Sequence, residues 1–179
     1  IAWAAGGAPA AAAALALAWV VGPTVLGGGE RAPVARFEMG GASGTLDVGG
    51  TLEVGRGERA EVRVGGVELA LGGESAMRFG SLDVRDVRVQ LTSGRVEVAF
   101  HPRERGRERL SIETPSARVE VVGTMFTVQL EGEATRVSVR EGAVREVPRA
   151  AAESAVLVHA GESVRIDGRA RAASDELAA

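Results

Sequence analysis

The sequence predicts an all-β fold, a solenoid-like twisted β-sandwich, preceded by one N-terminal transmembrane helix. Three observations carry this expectation. From residue 45 onward, short runs alternate apolar and polar side chains and are punctuated by glycine. No stretch between 45 and 168 has a helical 3.6-residue period, although 150–155 is long enough for a single turn. The first 29 residues, in contrast, contain no charged side chain.

Residues 1–29 are expected to form the membrane helix. Positions 10–21 are continuously apolar, and about 20 such residues rising 1.5 Å each cross a bilayer core. Trp3 and Trp19 would lie roughly 24 Å apart along that helix, one ring near each interface. Gly22 and Pro23 then end it. A cleaved signal core and a buried Ala-rich helix share this composition. The chain opens on Ile1 and not on Met, which points to residues upstream. Residues 30–44, with Pro33 and the Gly40-Gly41 pair, read as a linker.

The β-domain is expected over 45–168. Extended segments fall at 46–54, 60–64, 67–71, 76–79, 82–91, 95–100 and 110–114, each bounded by turn residues. The clearest alternation follows. Val119 and Val121 alternate with Arg118 and Glu120, and the pattern resumes at Phe126, Val128 and Leu130 and again at Val137 and Val139. A period of two means one buried and one wet face. Gly123-Thr124, Glu131-Gly132-Glu133 and Glu141-Gly142 separate these runs, where glycine supplies the positive φ of a tight reversal. Closing strands at 156–158 and 163–166 precede a polar tail, 169–179, expected to be disordered. Arg95-Val96-Glu97-Val98 recurs as Arg118-Val119-Glu120-Val121, and Gly73-Glu74-Ser75 as Gly161-Glu162-Ser163. Short strands joined by glycine arcs suit stacked coils; a two-sheet sandwich is the alternative arrangement.

Composition narrows the function. At 179 residues the chain holds one domain and little more. A net charge of −3 and a pI near 5.6 leave no electrostatic footprint for nucleic acid. Every cation is arginine, and the lack of cysteine removes disulfides, thiolate zinc sites and thiol catalysis together. With aromatics at 3%, the core must be built from Val, Leu, Ile and Ala.

The order Thr114-Pro115, Val119, Val121, Gly123-Thr124, Phe126, Val128, then Thr135, Val137, Val139, Glu141-Gly142, Val144 resembles the FecR family of bacterial transmembrane sigma-factor regulators. His159-Ala160-Gly161-Glu162 is similar to that family's closing A-G-E turn, and 89–99 to its upstream strand pair. The resemblance spans roughly residues 50–167. It implies a periplasmic, β-rich, solenoid-like domain on a single-pass inner-membrane protein. It further implies a protein partner in the envelope, such as an outer-membrane transducer, and a cytoplasmic sigma factor reached through residues upstream of Ile1. The cytoplasmic helical segment and the additional partner-binding domain of some members are not among these residues.

Candidate chemistry is sparse. His101 and His159 sit in polar settings and belong to no ligand cluster, so both read as surface histidines. Arg103, Arg105, Arg107 and Arg109 concentrate charge in one loop, either a partner or anion contact or a solvated hairpin tip. None of the serines lies in a nucleophile elbow. Gly65-Gly66 and Gly72-Gly73 precede no helix, unlike phosphate loops. Many glutamates alternate with valines and read as solvent-facing strand charge. No catalytic, cofactor or metal-binding residue is expected. The expected role is contact with another protein through an open strand edge near 156–166; the alternative is a membrane-anchored structural or polysaccharide-binding module.

Overall fold

A computed structural model describes residues 35–83, 85–101, 108–121, 124–149 and 155–167. The apolar segment 1–29 and the tail 169–179 lie outside the described residues, as do Gly123 and Arg103, Arg105 and Arg107. Among the described residues no helix is long and apolar enough to cross a membrane.

The described chain is all-β. In order, the strands are β1 (Ala35–Met39), β2 (Ala42–Leu46), β3 (Thr51–Val54), β4 (Ala60–Val64), β5 (Val67–Leu71), β6 (Ser75–Asp83), β7 (Asp86–Ser93) and β8 (Arg95–Phe100). They continue as β9 (Arg109–Glu113), β10 (Ala117–Val121), β11 (Met125–Glu131), β12 (Ala134–Glu141), β13 (Ala143–Pro148), β14 (Val156–His159) and β15 (Ser163–Ile166). The stretch expected as a linker supplies, within the described residues, β1 and the start of β2. The reason is pairing. Gly40 and Gly41 adopt positive φ and close a hairpin, and β1 then pairs with β4, which a reading keyed to apolar alternation could not see in a segment with three glycines and a proline.

Two sheets result. One runs β15-β12-β11-β8-β5-β4-β1-β2, the other β14-β13-β10-β9-β7-β6-β3. The coil stack expected from the sequence is not what the pairing shows. Successive coils of a β-solenoid pair in parallel, whereas here only β7 with β9 is parallel and every other pairing among the described residues is antiparallel. The two-sheet part of the expected solenoid-like sandwich is present, and a solenoid is not shown. The chain passes from one sheet to the other through glycine arches: Gly94 (φ 76°) between β7 and β8, Gly142 (φ 79°) between β12 and β13, and Gly161 (φ 84°) between β14 and β15.

Inward side chains of both sheets form one core, with Phe79, Leu69, Leu71, Met77, Leu91, Leu110 and Ile112 among its largest members. The alternation read from the sequence is the observed one: Val119, Val121, Phe126, Val128, Val137 and Val139 are all buried. Phe79, Phe100 and Phe126 are buried as well, and Phe37 is half-buried against the same core.

Candidate interaction edge

Each sheet ends on a strand from the last part of the chain. β14 borders one and β15 the other, so the segment expected near the open end does lie there. The two edges differ in chemistry. Beside β15, the Glu131 carboxylate accepts hydrogen bonds from Arg136 Nε at 2.6 Å and Arg165 Nε at 3.3 Å. The Arg136 hydrogen bond, followed by weaker contributions from both arginines and against the opposing effect of burial, holds the Glu131 carboxyl below the usual carboxylate range. Charge of this kind blunts an edge against further strands. β14 itself carries no Arg, Asp or Glu: Val156 is 42% and Leu157 55% exposed, two of the three large apolar side chains exposed among the described residues. Only β13 pairs with it.

The turn into β14's neighbours is built from the T-P motif. The Thr114 hydroxyl accepts from Ala117 N–H at 2.9 Å and donates to the Ala117 carbonyl at 3.0 Å, closing the β9–β10 turn. Thr135 on β12, in the other sheet, meets Thr114 at 2.7 Å and Ser116 at 2.5 Å. All three hydroxyls are buried. One proton order satisfies the set: Ser116 donates to Thr135, Thr135 to Thr114, and Thr114 to the Ala117 carbonyl. Arg149 adds a clamp from the end of β13, its Nε donating to the Thr114 carbonyl at 2.7 Å and its Nη2 to Glu113 at 3.2 Å. Thr135→Val keeps the shape but leaves the buried Ser116 hydroxyl without its acceptor and takes one of two donors from Thr114, which keeps the Ala117 N–H. It is expected to cost about 1 to 3 kcal/mol, measured as a lowered urea midpoint, with Ser138→Ala on the exposed face of the same strand as the control.

Among the described residues, two buried side chains have oxygens without a hydrogen-bond partner, Glu146 and Thr124. Glu146 on β13 is 0% exposed, and neither carboxylate oxygen has a hydrogen-bond partner. Burial pushes its carboxyl up to about 7. Glu146 is an exception to the expectation that many strand glutamates face solvent. Glu146 shares its parity with Val144, which is buried, while Arg145 between them is exposed. That parity was the available signal. Thr124, of the Gly-Thr motif, is also buried with its hydroxyl unpartnered, while its carbonyl accepts from Phe100 N–H at 3.0 Å.

Other sequence candidates fall elsewhere. Thr114 lies buried in its turn while Pro115 is exposed, and Glu141 and Gly142 are exposed at their arch. Glu162 Oε2 accepts from His159 N–H at 2.8 Å, so the A-G-E turn fastens β14 to β15 while Gly161 supplies the positive φ. Arg109, the described member of the arginine loop, is exposed on β9. His101 and His159 are exposed, and no group of three metal-ligating side chains occurs among the described residues. On the outer face of the larger sheet, a depression of about 290 Å³ runs over Ala70, Ala99 and Thr127. Its rim charges are largely matched, as in Arg63 with Glu61 at 3.4 Å and Arg59 with Glu97 at 3.8 Å.

The sequence profile described as FecR protein matches residues 50–145, more than half of the chain. The chain belongs to the FecR family. Two crystal structures of a candidate anti-sigma factor from Parabacteroides distasonis ATCC 8503, at 2.50 and 1.65 Å, have a similar fold. Each superposes with a TM-score of 0.56 at 24% identity, over 66% of this chain and 55% of that one. This FecR chain thus spans little more than half the length of those structures. No curated protein matches it.

Proposed function

We propose that this FecR-family chain is the envelope part of a transmembrane sigma-factor regulator, and that its β-domain acts by protein contact and performs no catalysis. The apolar segment 1–29 would anchor it in the inner membrane with the β-domain in the periplasm. A signal received there, from an outer-membrane transducer or another envelope protein, would pass through that segment to a cytoplasmic sigma factor. Family membership supports the regulatory role. The single observation that carries the contact mode is the β14 edge, where Val156 and Leu157 are exposed on a strand that, among the described residues, pairs only with β13. Such an edge accepts a further strand.

The glycan-binding alternative lacks support of this kind, because three of the four phenylalanines that would offer a stacking platform are buried. Leu157→Arg tests the reading. The full-length protein carrying it is expected to stay folded, since the side chain is 55% exposed, yet to lose most of the sigma-dependent reporter response. Photo-crosslinking from position 157 should capture an envelope protein that crosslinking from Arg63, on the outer face of β4, does not. A normal response with no capture at 157 would reject the edge as the contact.

A further inference from the structure

We infer that Glu146 is a protonation-controlled latch for the free edge of the seven-stranded sheet: neutral, it lets β14 close against β13, and ionised, it releases β14 to water. The inference begins with position. Glu146 stands opposite Val119 of β10 on one side and Val156 of β14 on the other. It is therefore one strand away from the sheet border. Both of its oxygens are buried without a hydrogen-bond partner.

No neighbouring charge compensates it. On β10, Arg118 and Glu120 alternate away from buried Ala117, Val119 and Val121, and Arg118 pairs with Glu113 at 2.8 Å. Arg145 on β13 pairs with Glu120 at 3.3 Å on that same outer face. From the facing sheet, β12 turns Val137 and Val139 inward and its Arg136 outward to Glu131, as β15 turns Arg165. On β14, His159 is exposed and Val158 is the buried side chain. Among the described residues, then, no charged group faces Glu146. Burial acting alone raises its carboxyl to about 7, with no charge contributing.

A lone carboxylate in an apolar interior has two outcomes as pH rises. It keeps its proton, or the structure around it opens until water reaches it. The cheapest opening is the one that breaks the fewest contacts. β14 is four residues long, is paired on one side only, and has just Val158 fully buried. Moving β10 or β12 would break pairings on both flanks. Ionisation of Glu146 is therefore spent on the edge strand. That β14 also meets a partner rests on the contact reading above, whereas the latch is a property of the chain alone, so either can fail without the other.

The test is amide hydrogen exchange of the full chain at about pH 5.5 and about pH 8, corrected for the intrinsic rate. An ordinary carboxyl pKa in the open form and one near 7 in the closed form predict that protection of β14 amides falls roughly thirtyfold across that interval. Protection in β4 and β5, on the larger sheet, stays constant. In Glu146→Gln, which cannot ionise, β14 protection is the same at both values. Equal loss in the Gln variant overturns the latch, as does wild-type protection that ignores pH or falls alike in every strand. If the Gln variant does not fold, the wild-type profile decides alone: a transition near pH 7 confined to β14 supports the latch, and its absence removes it.

Discussion

Gly94→Ala is expected to destabilise the domain by about 3 kcal/mol or more, seen as a large drop in the urea midpoint. Two costs add. Gly94 has φ 76°, in the left-handed region, where an L side chain costs about 1 to 2 kcal/mol. A Cβ there would also lie 2.6 Å from Ser75 Cα and 2.7 Å from Ser75 Cβ. Overpacking of this kind costs about 1 to 3 kcal/mol when the neighbour cannot move. Ser75 is poorly placed to move. Its hydroxyl accepts from Arg95 N–H at 2.9 Å and donates to the Arg95 carbonyl at 3.1 Å, so the residue after the arch is tied to the residue that would be struck. Ser75 also pairs with Val54 across β3 and β6. The control is Gly132→Ala in the β11–β12 turn, where φ is 64° and nothing lies within 4 Å of an added Cβ. Only the conformational cost applies there, about 1 to 2 kcal/mol. Equal losses for the two variants would mean that the close approach at Gly94 carries no weight.

That comparison also shows what the residues alone convey. The side-chain period of two identifies which face of a strand is buried, and it did so for Val119, Val121, Phe126, Val128, Val137 and Val139. Glycine at 132, 142 and 161 marked real positive-φ reversals. The period does not say which strands are partners, because any two strands of matching parity pair equally well locally. Partner choice is made by the arches, which send the chain back and forth between layers, and an arch such as Ser93-Gly94-Arg95 reads locally like a hairpin turn. For that reason the residues alone leave the solenoid-like character of the sandwich open. The hydroxyl cluster was hidden similarly, since Thr114 and Thr135 meet only after the two sheets face each other. Glu146 was not singled out, although its parity with Val144 places it inside. A buried unpaired carboxylate is costly. Where a sequence tolerates that cost, the residue is worth testing for function.

Glu146→Leu is expected to stabilise the domain at about pH 8 by about 2 to 3 kcal/mol. The sign follows from which state holds the proton. Burial raises the folded carboxyl to about 7 from the ordinary carboxyl value of 4.5, so between these values the folded chain binds more proton than the unfolded chain. The stability associated with neutral Glu146 is complete below about 4.5 and is lost as pH climbs through about 7. Glu131 works in the opposite direction and in a different window. Arg136 lowers its carboxyl in the folded state, so that contribution is present above the ordinary carboxylate value and is lost on acidification below it. The wild-type urea midpoint should therefore fall from mildly acidic pH toward pH 8, on the Glu146 side, and fall again in stronger acid, on the Glu131 side. In Glu146→Leu the first decline disappears while the second remains, because leucine fills the apolar site without a group to ionise and leaves the Glu131 cluster on the other sheet untouched. A variant that still loses stability between about pH 5 and pH 8 would move the titrating group elsewhere. One that is flat there but also flat in acid would show that the Arg136–Glu131 pair, exposed as it is, contributes nothing measurable.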